Sequence, residues 1–355
     1  MSQNNLNLDK QLFAKLGKQV SDIDIKGIYP EELLKEFAKI DAYKLIDENG
    51  TFNFEYIIDL HARVASVCIN TAFCMWCQSA CIWYLMNSEN TYLKETFLKE
   101  IIEGKILVGT GLSNALKALS SLEKVKLKAV KTDGGYIVNG SLPSVSNVQK
   151  GHYFAALIQI EDSYIIGLIN TNNEAIRIQN IDNFFALNGS ATVKATFKDY
   201  FLEDNFLISD DGQQFIEKIR PGFILLQLGM AIGNIDGSIK IIKKELKRKE
   251  YLNSPIFEDK VSLLEKKKEE LYFGLDKYLA NPYAEEVEEL KKILKIRLDG
   301  ALLSQEVSNE ALLCSGGSRG YFEKSDAFRK LRESYFVALV TPSIKHLKIL
   351  LSTLE

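Results

Sequence analysis

Hydrophobic periodicity changes twice along this chain, and this constrains the fold more than any single motif. Over the first hundred residues, apolar side chains recur at the helical interval. Leu12, Phe13 and Leu16 share a face, and Pro30-Glu31-Glu32 opens a helix with proline in the first turn and acids near the positive end of the dipole. Residues 54–86 form a long helical stretch with room for one break, and residues 91–102 an amphipathic helix stopped by Gly104. The period then drops to two. Val125, Leu127 and Ala129 alternate with Lys124, Lys126 and Lys128, Asp133-Gly134-Gly135 turns the chain, and Tyr136-Ile137-Val138 returns. Residues 153–160 and 164–169 form a second pair around Glu161-Asp162-Ser163, with further strands at 175–178 and 192–201. The helical period resumes at Phe215, with helices expected over 216–249, 259–279, 285–314 and 325–354.

The expected fold class is therefore α+β: an N-terminal helical domain (1–104), a central β-barrel-like domain (105–205) and a C-terminal four-helix bundle (206–355). A chain of 355 residues has length for two or three modules. Its net charge of −3 argues against a nucleic-acid partner, because neutralising phosphates needs a basic surface. The start of the chain has no basic segment leading into an apolar run, so the expected compartment is the cytoplasm. Residues 64–88 carry no charge but include Asn70, Thr71, Gln78 and Ser79, and read as a helix buried in a helical domain rather than a membrane span.

Cys68, Cys74, Cys77 and Cys81 fall within that stretch. On one helix the last three form a stripe, the pattern of small apolar residues in a core, whereas a zinc site needs four ligands converging from different directions. No metal site is expected. No G-x-G-x-x-G or phosphate-loop pattern occurs either, so a nicotinamide site of the doubly wound kind is not supported. The three histidines are His61, His152 and His346. His152 and His346 are the candidates for acid–base work, since imidazole titrates near neutrality.

Four segments, in order, resemble the acyl-CoA dehydrogenases. Residues 87–104 are similar to that family's helix before its flavin domain, and Gly134-Gly135-Tyr136-Ile137-Val138-Asn139-Gly140 to its hairpin. Residues 228–239 (LGMAIGNIDGSI) are similar to the helix opening its C-terminal bundle, and residues 314–332 (CSGGSRGYFEKSDAFRKLR) to its glycine–arginine segment. The resemblance covers almost the whole chain. It implies FAD between the β-domain and the bundle, and a homodimer or homotetramer. It also implies cofactor contacts at Val108-Gly109-Thr110, Ser144-Val145-Ser146, Gly316-Gly317 and Ser343. The implied substrate is an acyl thioester on coenzyme A or a carrier protein. The implied electron partner is a flavoprotein, oxygen or a reductase.

Two departures from the family matter. Ser144 stands where a tryptophan usually packs on the flavin, which opens the pocket. Thr341 stands where most members carry the glutamate that abstracts the substrate α-proton, and Ile219, before Arg220, where a minority carry it. A threonine hydroxyl is too weakly basic for that step at neutral pH. Glu217 and Glu333 are the nearest acids in sequence, and residues 252–257 replace the motif whose arginine binds the cofactor pyrophosphate. Three readings follow: a thioester dehydrogenase with an unusual base among Thr341, His346 and His152; a flavin-dependent monooxygenase of the same fold, which takes reduced flavin and needs no α-proton abstraction; or a catalytically silent flavin- or acyl-binding subunit.

Overall fold

The computed structural model describes residues 3–248 and 255–354. Helices α1 (Gln3–Ile25), α2 (Glu31–Phe37), α3 (Phe54–Val67) and α4 (Ile69–Asn87) build the first module. It ends in a continuous helical run of α5 (Thr91–Leu93), a π-helical turn (Lys94–Leu98) and α6 (Lys99–Ile102). Gly104 then takes φ +68°, and the amides of Gly104 and Lys105 bond back to the carbonyls of Ile101 and Glu100, the left-handed C-terminal stop expected of glycine.

Every residue of α4 except Met86 is buried, so the charge-free stretch is the central helix of the module. Its four cysteines, counting Cys68 at the cap, are buried free thiols, and no metal-binding group of side chains exists among the described residues. The polar residue Gln78 ties this helix to the next module. Its amide donates to the carbonyls of Ile101 and Ile106, and its carbonyl accepts from the amide of Val108 at 2.8 Å.

The break between α3 and α4 falls at Cys68, whose backbone is extended (φ −151°, ψ 108°). Charges from a distant helix satisfy both exposed helix ends there. Lys330 Nζ donates to the carbonyl of Ala65 at 2.6 Å and Arg329 donates to that of Val67, while the Glu333 carboxylate accepts from the amide of Ile69 at 2.9 Å. Cations thus sit at a helix C-terminus and an anion at a helix N-terminus, as the dipoles require.

The middle module contains β1 (Val108–Thr110), α7 (Ser113–Leu119), β2 (Leu127–Thr132), β3 (Gly135–Val145), β4 (Tyr153–Ile160), β5 (Ser163–Asn170), β6 (Ile176–Asn180), β7 (Val193–Glu203) and β8 (Leu207–Ser209). The strands run β6-β7-β3-β2-β4-β5-β8, and β1 pairs parallel with β4. The two hairpins fall where the alternation placed them, with Ala129 opposite Val138 and Ile160 opposite Ser163. β6 and β8 lie at the two ends, with no ladder between them among the described residues. The helix α7 lies within the domain expected to be mostly β, in a stretch for which no element was expected.

The last module contains α8 (Gly212–Leu225), α9 (Leu228–Arg248), α10 (Pro255–Tyr272), α11 (Asp276–Ala280), α12 (Val287–Ser315), α13 (Gly317–Tyr321), α14 (Asp326–Leu339) and α15 (Ile344–Thr353). Three of the long helices expected here are each divided in two. The breaks fall at Leu226–Gln227, around Gly274 (φ +76°), and over Val340–Ser343, where Pro342 cannot donate to a helix. α9 packs against α3 so closely that a Cβ at Gly233 would stand 2.1 Å from the carbonyl of Ala62. Only glycine permits that approach, which joins the bundle to the first module.

Candidate functional site

The three modules meet around a cavity of about 230 Å³. Its first wall is aromatic. Phe73 and Trp76, one turn apart on α4, stack at 5.7 Å with their planes 14° apart. Phe336 of α14 meets Phe73 edge-on at 4.6 Å, and Phe223 of α8 meets Trp76 at 5.0 Å. These contacts shape an apolar face and keep water from it.

The opposite wall is built from hydroxyls and backbone at the strand ends. β1 pairs with β4 and bridges to Ser146, so the amide of Thr110 donates to the Ser146 carbonyl at 3.3 Å. This brings two segments separated by more than thirty residues into one edge of the cavity, with Thr110, Ser144 and Ser146 all lining it. Gly109 makes the approach possible, because a Cβ there would lie 2.2 Å from the Ser146 carbonyl oxygen. The Thr110 hydroxyl pairs with Tyr84 at 3.0 Å, and that of Ser146 with Thr192 at 2.9 Å. Val145 points the other way, into the core of the sheet.

The third wall is the segment after α14. Leu339, Val340 and Thr341 line the cavity, and Thr341 is nine-tenths buried. Its backbone is held from inside the bundle: Gln227 donates to the Thr341 carbonyl at 2.8 Å, Arg297 Nε donates to Gln227 at 2.8 Å, and Arg297 Nη2 donates to the carbonyl of Val337 at 2.8 Å. Arg297 is fully buried, and desolvation brings its pKa down to about 10.

Among the described residues the cavity lining holds no aspartate, glutamate or histidine, and Lys117 of α7 is its only ionisable side chain. Glu333, beside the family's arginine position, points away and is locked between Ile69 and Lys330, while Glu217 is exposed. His346 is buried next to the cavity but does not line it. Its Nε2 lies 2.9 Å from the Ser120 hydroxyl, and its Nδ1 has no partner. Burial, with the charges of Arg220 and Lys117, pulls its pKa down to about 4. His152 is elsewhere, bracing the β3–β4 turn. Its Nδ1 accepts from the amide of Gln149 at 3.2 Å, its ring lies against Tyr29, and burial lowers its pKa.

Ser343 caps α15 through the amide of His346 at 3.3 Å. Gly316 and Gly317 lie where α12 hands over to α13 and do not line the cavity. The structure therefore gathers Thr110, Ser144, Ser146 and Thr341 into one site, with Gly109 and Val145 supporting it, and leaves His152, Gly316 and Gly317 outside it. Residues 252–254 of the stretch that replaces the pyrophosphate motif lie outside the described residues. Sequence reasoning did not single out Phe73, Trp76, Phe223, Phe336 or Lys117. Their apolar or amphipathic spacing is that of ordinary core and helix positions.

The residues present suit a planar ring system. One face is aromatic, one edge offers hydroxyls and strand-end backbone, and among the described residues no carboxylate lines it. The cavity is below the ~300–1,000 Å³ usual for small-molecule sites.

No family model and no curated sequence matches this chain. Solved structures do. Butyryl-CoA dehydrogenase from Megasphaera elsdenii superposes with a TM-score of 0.85 at 16% identity, covering 99% of this chain and 98% of that one. A glutaryl-CoA dehydrogenase from Mycobacterium smegmatis in complex with FADH2 gives 0.80 at 14%, covering 99% and 94%. The dibenzothiophene monooxygenase TdsC from Paenibacillus sp. A11-2 gives 0.79 at 10%, covering 99% and 96%.

Proposed function

Because this chain has the fold of the acyl-CoA dehydrogenase superfamily, we propose that it is a flavin-dependent oxidoreductase whose reaction requires no side-chain base, a monooxygenase rather than a thioester dehydrogenase. One observation carries the distinction: among the described residues the cavity lining contains no carboxylate or imidazole, and the position of the family's base holds Thr341. A neutral hydroxyl cannot abstract an α-proton at useful rates. The neighbours of this fold include both reaction types by name, a butyryl-CoA dehydrogenase and a dibenzothiophene monooxygenase.

A flavin, FAD in this reading, would supply two-electron chemistry in the cavity. The chain's own residues do the rest. Phe73, Trp76, Phe223 and Phe336 would cover a face of the ring and exclude water from it. Thr110, Ser144 and Ser146 would hold an edge of the ring through hydroxyls and backbone, and Lys117 would supply the one positive charge in the cavity lining among the described residues. Arg297 and Gln227 fix the backbone of Thr341, and so the width of the cavity. Reducing equivalents would come from a separate reductase, and the working unit would be a homo-oligomer in the cytoplasm.

Stopped-flow mixing of the reduced, flavin-loaded protein with aerated buffer tests this. The proposal expects direct reoxidation by dioxygen. A reduced protein inert to dioxygen, but reoxidised by an electron-transferring flavoprotein, would instead assign it to thioester dehydrogenation.

A further inference from the structure

The sheet carries an apolar row on the side that faces water. Register puts Val130 of β2 opposite Ile137 of β3, and Ile137 opposite Phe201 of β7. Val130 is 72% exposed and Phe201 40%, with Ile137 half-buried between them. The residues next to them along the strands, Tyr136, Val138, Tyr200 and Leu202, point the other way and form the sheet's own core, of which the outward row is no part. Charge is sorted about this row. On one side stand Lys126, Lys128 of β2, Lys194 and Lys198 of β7, and Arg177 of β6, all exposed and none in an ion pair among the described residues. Arg177 is brought there by pairing with Thr196, which pairs in turn with Ser141. Asp199, the carboxylate beside Lys198, is engaged by the Asn139 amide at 3.0 Å. Other carboxylates gather at the opposite ends of these strands: Asp133 precedes β3, Glu161 precedes β5, Glu174 precedes β6, and Glu203 ends β7.

An apolar row with cations on one side and carboxylates on the other is complementary to an amphipathic helix with one acidic flank. Three strands at about 4.8 Å spacing make the row about 10 Å long, close to two turns of helix. The apolar stripe would lie on the row and the acidic flank over the lysines. Rolled the other way, the acids would meet Asp133 and Glu203, so the sorted charge also fixes the orientation. A lipid surface fits less well. Faces that enter a membrane sink apolar side chains roughly 5–10 Å deep, whereas Ile137 and Phe201 are only partly exposed and the strand-end carboxylates would face the headgroups. β3 runs on from Ile137 to Ser144 in the cavity lining, so a partner on this face stands roughly 23 Å from the cavity at about 3.3 Å per residue.

We propose that the outward face of β2, β3, β7 and β6 docks an acidic amphipathic helix of a partner protein. Val130, Ile137 and Phe201 take its apolar stripe, and Lys126, Lys128, Lys194, Lys198 and Arg177 take its carboxylates. The proposal stands apart from the flavin reading, since none of these residues lines the cavity.

Fluorescence anisotropy tests this with the full-length protein and a labelled synthetic helix of about 14 residues, leucine along one stripe and glutamate along its flank. A scrambled peptide of the same composition, with no stripe, is the control for charge alone. The striped peptide is expected to bind about tenfold more tightly than the scramble, and more weakly as salt is raised. The double variant Lys126→Glu/Lys128→Glu and, separately, Val130→Asp should each weaken binding about tenfold. Both change exposed positions, and either one decides the matter if the other fails to fold. No binding of the striped peptide, equal binding of the two peptides, or binding that survives these substitutions would overturn the proposal. So would a protein that ignores the striped peptide but sediments with phosphatidylserine vesicles, and ceases to do so in Lys126→Glu/Lys128→Glu, because the face would then belong to a lipid surface.

Discussion

Arg297 Nε donates to the side-chain oxygen of Gln227 at 2.8 Å, and through the other end of that amide it holds the Thr341 carbonyl. A fully buried cation on the longest helix of the bundle thereby sets the position of a cavity wall. Arg297→Leu would leave the Gln227 oxygen and the Val337 carbonyl buried and unpaired. The expected cost is on the order of 3 kcal/mol in urea unfolding, with weaker flavin binding in the protein that remains folded. Unchanged stability would show that the chain of bonds contributes nothing.

Thr341→Glu would place a carboxylate on the cavity wall without touching the Gln227 bond, which is made to backbone. If the missing base alone separates this protein from the dehydrogenases, the variant should bleach with butyryl-CoA on the order of a hundredfold faster than the parent. No gain would mean that the thioester does not reach the cavity in a productive pose.

Gly109 and Gly17 give opposite expectations for one substitution. A Cβ at Gly109 would strike the Ser146 carbonyl at 2.2 Å and Val148 at 2.6 Å, whereas Gly17, an exposed position of α1, has nothing within 4 Å. Gly109→Ala should destabilise the protein by about 3 kcal/mol and abolish flavin binding. Gly17→Ala should stabilise it by about 1 kcal/mol, since alanine is the better helix former. Chemical denaturation of both variants, with flavin fluorescence, checks the pair.

His61 is fully buried, and desolvation lowers its pKa from 6.5 to about 4. Between those values the unfolded chain binds a proton that the folded protein refuses. Stability is therefore complete above pH 6.5 and falls as the pH drops toward 4, by about 3 kcal/mol for this group. His346 shifts in the same direction. Urea midpoints at pH 7.5 and 4.5 should differ accordingly, and His61→Leu should flatten the difference. A midpoint independent of pH in the parent would contradict the burial of both imidazoles as neutral rings.

The order of helices, strands and helices along the chain and both hairpins were legible because period two and period 3.6 are local properties, visible in stretches such as 124–129 and 136–138. The helix breaks were less legible for a physical reason. The α3–α4 break at Cys68 is satisfied by Arg329, Lys330 and Glu333, more than 260 residues away, and nothing near Cys68 announces them. The same holds at Gln227, whose partners are Arg297 and Thr341. α7 is a different case: Leu112, Ala115, Leu116 and Leu119 are spaced as one helix face, a local signal that the reading of this region as mostly β passed over. The resemblance named Thr110, Ser144, Ser146 and Thr341, and these four line one cavity. Its aromatic wall was not, because Phe73 and Trp76 on a buried helix look like any other core residues.

The most direct test of a base-free flavin site is anaerobic titration of the FAD-loaded protein with butyryl-CoA, followed by visible absorption. The account predicts a yellow protein whose absorption band survives excess thioester. Bleaching by the thioester would contradict it, as would a protein that stays colourless after incubation with FAD.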